Sequence, residues 1–185
     1  ALVHYQFETA HPFLDGNGRL GRLLITLMLI NDGVLHSCLF YPSFQFKKNR
    51  SEYYRQLTSV RERGTYEEWI EFFCNSLLES AKDSVGSLKN LVDLHNRSTA
   101  TITENLGRTA ANGQRLLGIL EEHPIVDTAF IAAQLDIGRS TASSLVKSFE
   151  ELGILRPLDE SRQRYRQYGY EEYLSILREA AEPIR

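Results

Sequence analysis

Cysteine is almost missing from this chain. Cys38 and Cys74 are the only two among 185 residues, too few for a disulfide framework or a zinc ribbon, so a reducing compartment, the cytoplasm, is the expected location. No structural metal is implied. Long apolar runs are missing as well: the longest, Leu23 to Ile30 with Thr26 inside it, falls far short of the ~20 residues that cross a bilayer. No charged-then-apolar signal segment opens the chain, so a soluble protein without a membrane partner is expected. A large excess of one charge is also absent. With 21 Lys and Arg against 24 Asp and Glu, the net charge of -3 argues against a strongly basic protein wrapped around nucleic acid and leaves only local patches to be read. Internal repeats and low-complexity tracts are lacking. What remains is an ordinary globular composition, 42% hydrophobic and 24% charged, long enough to bury a core in one or two domains.

The patterning is mainly α. Residues 1–9 read as helix from the first position, with neither an N-cap nor an initiator methionine, so the chain is expected to be cut from a longer one, part of its first domain missing. Pro12 disfavours helix at the residue before it and opens a loop. From Arg19 to about Asp32, Leu20, Leu23, Leu24, Leu27, Met28 and Ile30 crowd a helix expected to be deeply buried, which Gly33 would end. "LHSCLFYPSF" is expected to be irregular or briefly extended. A helix then runs to Gly64, and another starts near Tyr66 with apolar positions three and four apart. The Ser/Thr/Asn-rich stretch 97–111 loses that spacing and is predicted to link two domains, 1–96 and 112–185. Three helices are predicted after it, the second capped by Asp127 and the third ending at Gly153, followed by a short β-hairpin around a polar turn and a closing helix. That order is a winged helix-turn-helix domain.

One stretch concentrates chemistry. In "HPFLDGNGRLGRLL", Asp15, Gly16, Asn17 and Gly18 stand immediately before a helix start, where free backbone N–H groups and the positive end of the dipole favour an anion. The two glycines let the backbone curl so that successive N–H groups can face phosphate oxygens. Arg19 and Arg22, three apart on the first turn, can fork onto outer phosphates. Asp15 offers a hard oxygen to a magnesium ion bridging phosphates, and the imidazole of His11 can take a proton from an attacking hydroxyl. The set suits phosphate-group transfer, which depends mainly on positioning and charge neutralisation.

His11, Phe13, Asp15, Gly16, Asn17, Gly18, Arg19 and Arg22 match, position for position, the Fic motif H-x-F-x-[DE]-G-N-G-R-x-x-R, and the chain resembles the Fic family over roughly residues 1–85. The resemblance implies a Fic-type helical core and a protein adenylyltransferase. His11 would be the base that deprotonates a Ser, Thr or Tyr hydroxyl on a target protein, with AMP transferred from ATP and pyrophosphate leaving. Asp15 would hold magnesium, Gly16 to Gly18 would form an anion hole, Arg19 and Arg22 would bind the β- and γ-phosphates, and Phe13 would pack into the core. The implied ATP-binding run continues through Leu20 and Gly21 to Arg22. A related branch that transfers the γ-phosphate has lysine at the second glycine of the run, so Gly18 favours AMP transfer. By the same resemblance Tyr53 and Tyr54 lie near the adenine pocket, although core packing fits two helical aromatics as well. The C-terminal part is similar to the winged helix appended to one bacterial branch.

Departures from the family are visible. Tyr66 stands where tryptophan is common. The β-hairpin flap that docks the target precedes the motif in the family and is not in this sequence. The inhibitory pattern [ST]-x-x-x-E-[GN] is not met, because the Glu104-Asn105 pair has Ala100 four residues back. Inhibition would therefore come from upstream sequence or a partner. A DNA-binding regulator with a nucleotide-sensing Fic core is the competing reading, using Arg139 and Lys147 of the third predicted helix and Arg162, Arg164 and Arg166 of the wing. Against it, residues from 109 onward hold nine Lys and Arg but twelve Asp and Glu. Removal of AMP from modified targets would use the same His11 and Asp15. Self-modification and homodimer formation stay open. His4 reads as a helix-face residue, and His36, His95 and His123 have no companions at ligand spacing.

Overall fold

The computed structural model describes residues 1–36, 40–159, 161 and 166–181; Cys38, Arg162 and Arg164 lie outside them. In chain order the elements are α1 (Leu2–Ala10), α2 (Asn17–Asn31), α3 (Pro42–Lys48), α4 (Arg50–Arg63), α5 (Tyr66–Asn105), a 3₁₀ turn (Gly107–Thr109) and α6 (Ala110–Glu122). They continue with β1 (Ile125–Asp127), α7 (Thr128–Leu135), α8 (Arg139–Glu151), β2 (Arg156–Pro157), β3 (Gln167–Gly169) and α9 (Glu171–Ala181). The fold is mainly helical, as the patterning predicts. Two compact units form, one holding Ala1–Ser87 and the other Leu88–Arg178. Among the described residues no helix is long and apolar enough to cross a membrane.

The first unit is built on aromatic rings. Tyr5, Phe46, Tyr53, Trp69 and Phe73 pack with Ile25 and Val60, and the indole N–H of Trp69, fully buried, donates to the Ala1 carbonyl at 3.2 Å. That bond ties the start of α1 to α5. The expected deep burial of α2 is not observed: only Asn17, Gly21, Ile25 and Thr26 are buried, while Leu23 and Leu27 are 53% and 51% exposed. Asn17, Gly21 and Ile25 recur every four residues and form one stripe facing the neighbouring helices. Leucine on both sides of a helix reveals apolar content but not which faces find a partner. Within "LHSCLFYPSF", residues 37–39 are not described, and the rest is not irregular throughout, because Pro42 opens α3 at a position where its missing N–H leaves no bond unmade.

The predicted linker 97–111 is also corrected. Helix α5 continues to Asn105, and the boundary between compact units falls at Ser87 and Leu88, inside this helix. Two effects sustain it. The hydroxyls of Thr101 and Thr103 and the amide of Asn105 donate back to the carbonyls four residues earlier, so these polar side chains stay within the helix. Leu94, Ser98 and Ile102, again four apart, face the second core, where the Ser98 hydroxyl meets that of Tyr170 at 2.7 Å. Burial pushes the Tyr170 phenol up to about 12.

The second unit packs α6, α7 and α8 around Leu116, Leu120, Ile131, Leu145 and Phe149, with an antiparallel sheet of order β1-β3-β2. Tyr168 of β3 stands opposite Val126 on one side and Pro157 on the other. The antiparallel pairing of β2 with β3 agrees with the expected strand pair, most of whose turn lies outside the described residues, but β1 is an addition. A three-residue strand that follows a proline and ends on a helix cap is too short to display alternation. Asp127 caps α7 as expected, its carboxylate accepting from the Phe130 N–H at 2.7 Å. Asp127→Ala is expected to cost about 1 kcal/mol, seen as a lowered midpoint in chemical denaturation followed by circular dichroism.

Candidate functional site

The end of α1, the loop after it and the start of α2 carry the motif. His11 closes α1 in the left-handed region, φ 44°, with its N–H bonded to the Phe7 carbonyl at 3.0 Å and its imidazole exposed. The loop is then fastened from one side chain. Asn17 is buried, its Oδ1 accepts from the Phe13 N–H at 2.9 Å, and its Nδ2 donates to the Phe13 carbonyl. Both backbone groups of Phe13 are thus satisfied by one amide. The Phe13 ring is not in the core: it is 51% exposed and touches Phe7, so it is the backbone of this residue that is held.

Gly16 caps α2 at φ 81°, a conformation that a side chain rarely adopts. A second consequence concerns space. The position a Cβ would take on Gly16 lies 3.5 Å from a guanidinium nitrogen of Arg19, and on Gly18 3.2 Å from one of Arg22. Both guanidinium groups therefore fold back over the glycines at the helix start. Arg19 also reaches the Asp15 carboxylate at 3.3 Å, with both groups largely in solvent, where such a pair contributes little stability. Leu20 is partly exposed.

Gly21 sits in the packing between α1 and α2. A Cβ there would collide with the Glu8 carboxylate and come within 3.1 Å of the Phe7 ring and 3.2 Å of His4. Glu8 Oε1 and Arg22 Nε are both buried and have no hydrogen-bond partner among the described residues. Burial pushes the Glu8 carboxyl up, and the positive charge of Arg22 pulls it back.

Sequence reasoning missed His4. Its ring is buried between Phe46 and Trp69, nearly parallel to both at centroid distances of 5.9 and 6.2 Å. Nδ1 lies 3.0 Å from the Gly21 carbonyl and Nε2 2.9 Å from the Tyr53 hydroxyl. A carbonyl can only accept, so Nδ1 carries the proton and the Tyr53 hydroxyl donates to Nε2. Burial holds this imidazole neutral, lowering its pKa to about 4. Burial likewise pushes the Tyr53 phenol up. The only sequence signal was the place of His4 beside Tyr5 in a helix whose partners lie 17 and 49 residues away.

Of the predicted nucleotide residues, Arg22, Tyr53 and Tyr54 come together around a cavity of about 240 Å³; His11 and Asp15 do not line it. Tyr53 is in the core, while Tyr54 is 53% exposed and meets Tyr53 edge to face. Among the described residues no three His, Cys, Asp or Glu side chains converge as a metal site. In the second unit, Arg139 and Arg166 line one cleft with Thr128 and Ser143, and Lys147 pairs with Glu151 at 3.8 Å.

A helix start opened by glycines, roofed by two arginines and adjoined by an exposed imidazole has the parts of a phosphate-handling site. Residues 1–29 match the model of the Fic/DOC family. The chain is similar to "Protein adenylyltransferase fic-1" of Caenorhabditis elegans, 31% identical over 93 residues, which are 50% of this chain and 17% of that protein. The protein of the same name from Caenorhabditis briggsae is 32% identical over 89 residues, 48% of this chain and 16% of the relative. "Protein adenylyltransferase Fic" of Drosophila grimshawi is 36% identical over 75 residues, 40% of this chain and 14% of the relative. The matches thus span less than a fifth of the length of these relatives.

Proposed function

We propose that the protein is a Fic-type adenylyltransferase that moves AMP from ATP to a Ser, Thr or Tyr hydroxyl of a target protein. The observation that carries this reading is the start of α2, where Gly16 and Gly18 leave room for Arg19 and Arg22 to fold over free backbone N–H groups. In the proposed reaction the target oxygen bonds to the α-phosphorus, the bond to the β-phosphate bridge breaks, pyrophosphate leaves, and the hydroxyl proton passes to the His11 imidazole. Arg19 and Arg22 take the charge of the leaving phosphates, and Tyr53 and Tyr54 flank the nucleotide. Asp15 is the residue that would hold magnesium, since one solvent-facing carboxylate suits an ion that keeps most of its waters and shares phosphate oxygens. Bound there, the ion neutralises phosphate charge. The names of the curated relatives support the transfer class. We read the second unit as the winged helix of a bacterial, cytoplasmic branch.

The test is label transfer from ATP with magnesium. Label from the α-position retained on protein is the expected result; label from the γ-position alone would replace the reading with a kinase. Removal of AMP would engage the same His11 and Asp15. A second reading, a DNA-binding regulator, is favoured by Arg139 and Arg166 lining one cleft and opposed by the engagement of Lys147 with Glu151.

A further inference from the structure

Helix α5 buries one side and leaves another in solvent. Trp69, Phe73, Ser76 and Ser80 are buried at intervals of four, three and four, so that side serves the core. The solvent side carries a second series. Cys74, Leu78, Ala81, Val85, Leu88 and Val92 follow at intervals of four, three, four, three and four, and all are exposed, the two leucines and two valines by 42% to 58%. A repeat of about 3.5 residues is that of a seam packed against another helix, and here it runs through six positions without a charge.

The seam fits a second copy of itself. Laid antiparallel, Cys74 faces Val92 of the second copy, Leu78 faces Leu88 and Ala81 faces Val85, and the two-fold axis repeats each pair, so every position finds an apolar one. Charge at the ends fixes the direction. Continued by one step each way, the same register reaches Glu71 before Cys74 and His95 after Val92, the His95 imidazole lying 2.7 Å from the Glu121 carboxylate. Parallel helices would set Glu71 against its own copy, whereas antiparallel helices set it against His95 and oppose the helix dipoles. One like-charged encounter remains near the axis, Lys82 with its copy, and Lys82 is already paired with Glu79 at 2.7 Å. We propose that this side of α5 joins two copies of the chain as an antiparallel helix pair, an inference that does not rest on nucleotide chemistry.

From Cys74 to Val92 the helix rises about 27 Å, a small interface, so association in the micromolar range is expected. Sedimentation of the whole 185-residue chain between about 1 and about 100 μM reads it, the dimer growing with concentration. Val85→Glu sets a carboxylate in the seam twice per dimer while keeping a helix former, and is expected to weaken association on the order of a hundredfold. Circular dichroism and the fluorescence of Trp69, the sole tryptophan, check that the variant folds. Leu23→Glu, on the exposed side of α2, should change nothing. A chain that stays monomeric, or a dimer that Leu23→Glu dissolves and Val85→Glu does not, overturns the proposal. Direction is read by oxidation in a Cys38→Ser background. Positions 74 and 92 are too far apart on one helix to join within a chain, so Val92→Cys is expected to give a disulfide-linked dimer that neither thiol gives alone. Linkage through Cys74 alone would mean parallel helices and overturn the proposal, as would the absence of any linked dimer.

Discussion

Replacing His11 with asparagine is expected to lower transfer of the α-label by a factor of about 10²–10⁴ with little change in thermal unfolding. The two readouts separate because the proposed reaction gives the His11 imidazole a part distinct from that of its backbone. Its backbone terminates α1 at φ 44°, a conformation that asparagine adopts more readily than most residues. Its exposed imidazole is what a departing proton would meet. Asparagine keeps the first role and removes the second, since an amide does not act as a base near neutral pH. His11→Ala also removes the imidazole but places at this position a residue that adopts the left-handed conformation less readily, and would confuse lost chemistry with altered structure. Full transfer by the asparagine variant would mean that another group takes the proton.

The largest expected effect on stability comes from His4 and depends on pH. In the unfolded chain its imidazole titrates near 6.5, and in the folded protein at about 4. Between those values the unfolded state holds the extra proton, so acidification draws the equilibrium toward unfolding. Stability present above pH 6.5 is lost as pH falls to 4, by about 3 kcal/mol in total. Glu8, with its carboxyl raised by burial, acts in the opposite direction, gaining stability as it protonates, and offsets part of the loss. His4→Phe isolates the imidazole. It preserves ring packing against Phe46 and Trp69 but leaves the Gly21 carbonyl and the Tyr53 hydroxyl unpaired, at about 1–3 kcal/mol for each buried group left unpaired. The variant should be weaker at pH 7 yet show a flatter slope between pH 6.5 and 4. Trp69 lies in the first unit alone and reports its denaturation directly. A slope unchanged in His4→Phe would assign the acid sensitivity to other groups.

Much of the molecule was legible locally. The helix after Pro12 and the Asp127 cap follow from residues within one turn of one another. The motif loop was legible as chemistry, but the use of its parts was not. Asn17 reads as one member of a backbone anion cradle, and its side chain has the further task of fastening Phe13; Phe13 looks like core, and its ring is half exposed. Distant partners account for the remaining differences. His4 depends on Gly21 and Tyr53, and the persistence of α5 through residues 97–105 depends on Tyr170 and the core of the second unit. An apolar count such as that of α2 registers hydrophobicity and says nothing of how many sides are covered.

The clamp of Asn17 on Phe13 has a thermodynamic consequence for any ligand at the α2 start. Fixing one residue's backbone costs about 1–2 kcal/mol of entropy, and residues 13–17 form a closed ring through the paired bonds to one amide. That ordering is completed when the chain folds. An arriving anion therefore meets a surface that no longer has conformations to lose, and its association there should resemble the docking of rigid bodies, with a small entropic penalty and a rate governed by encounter.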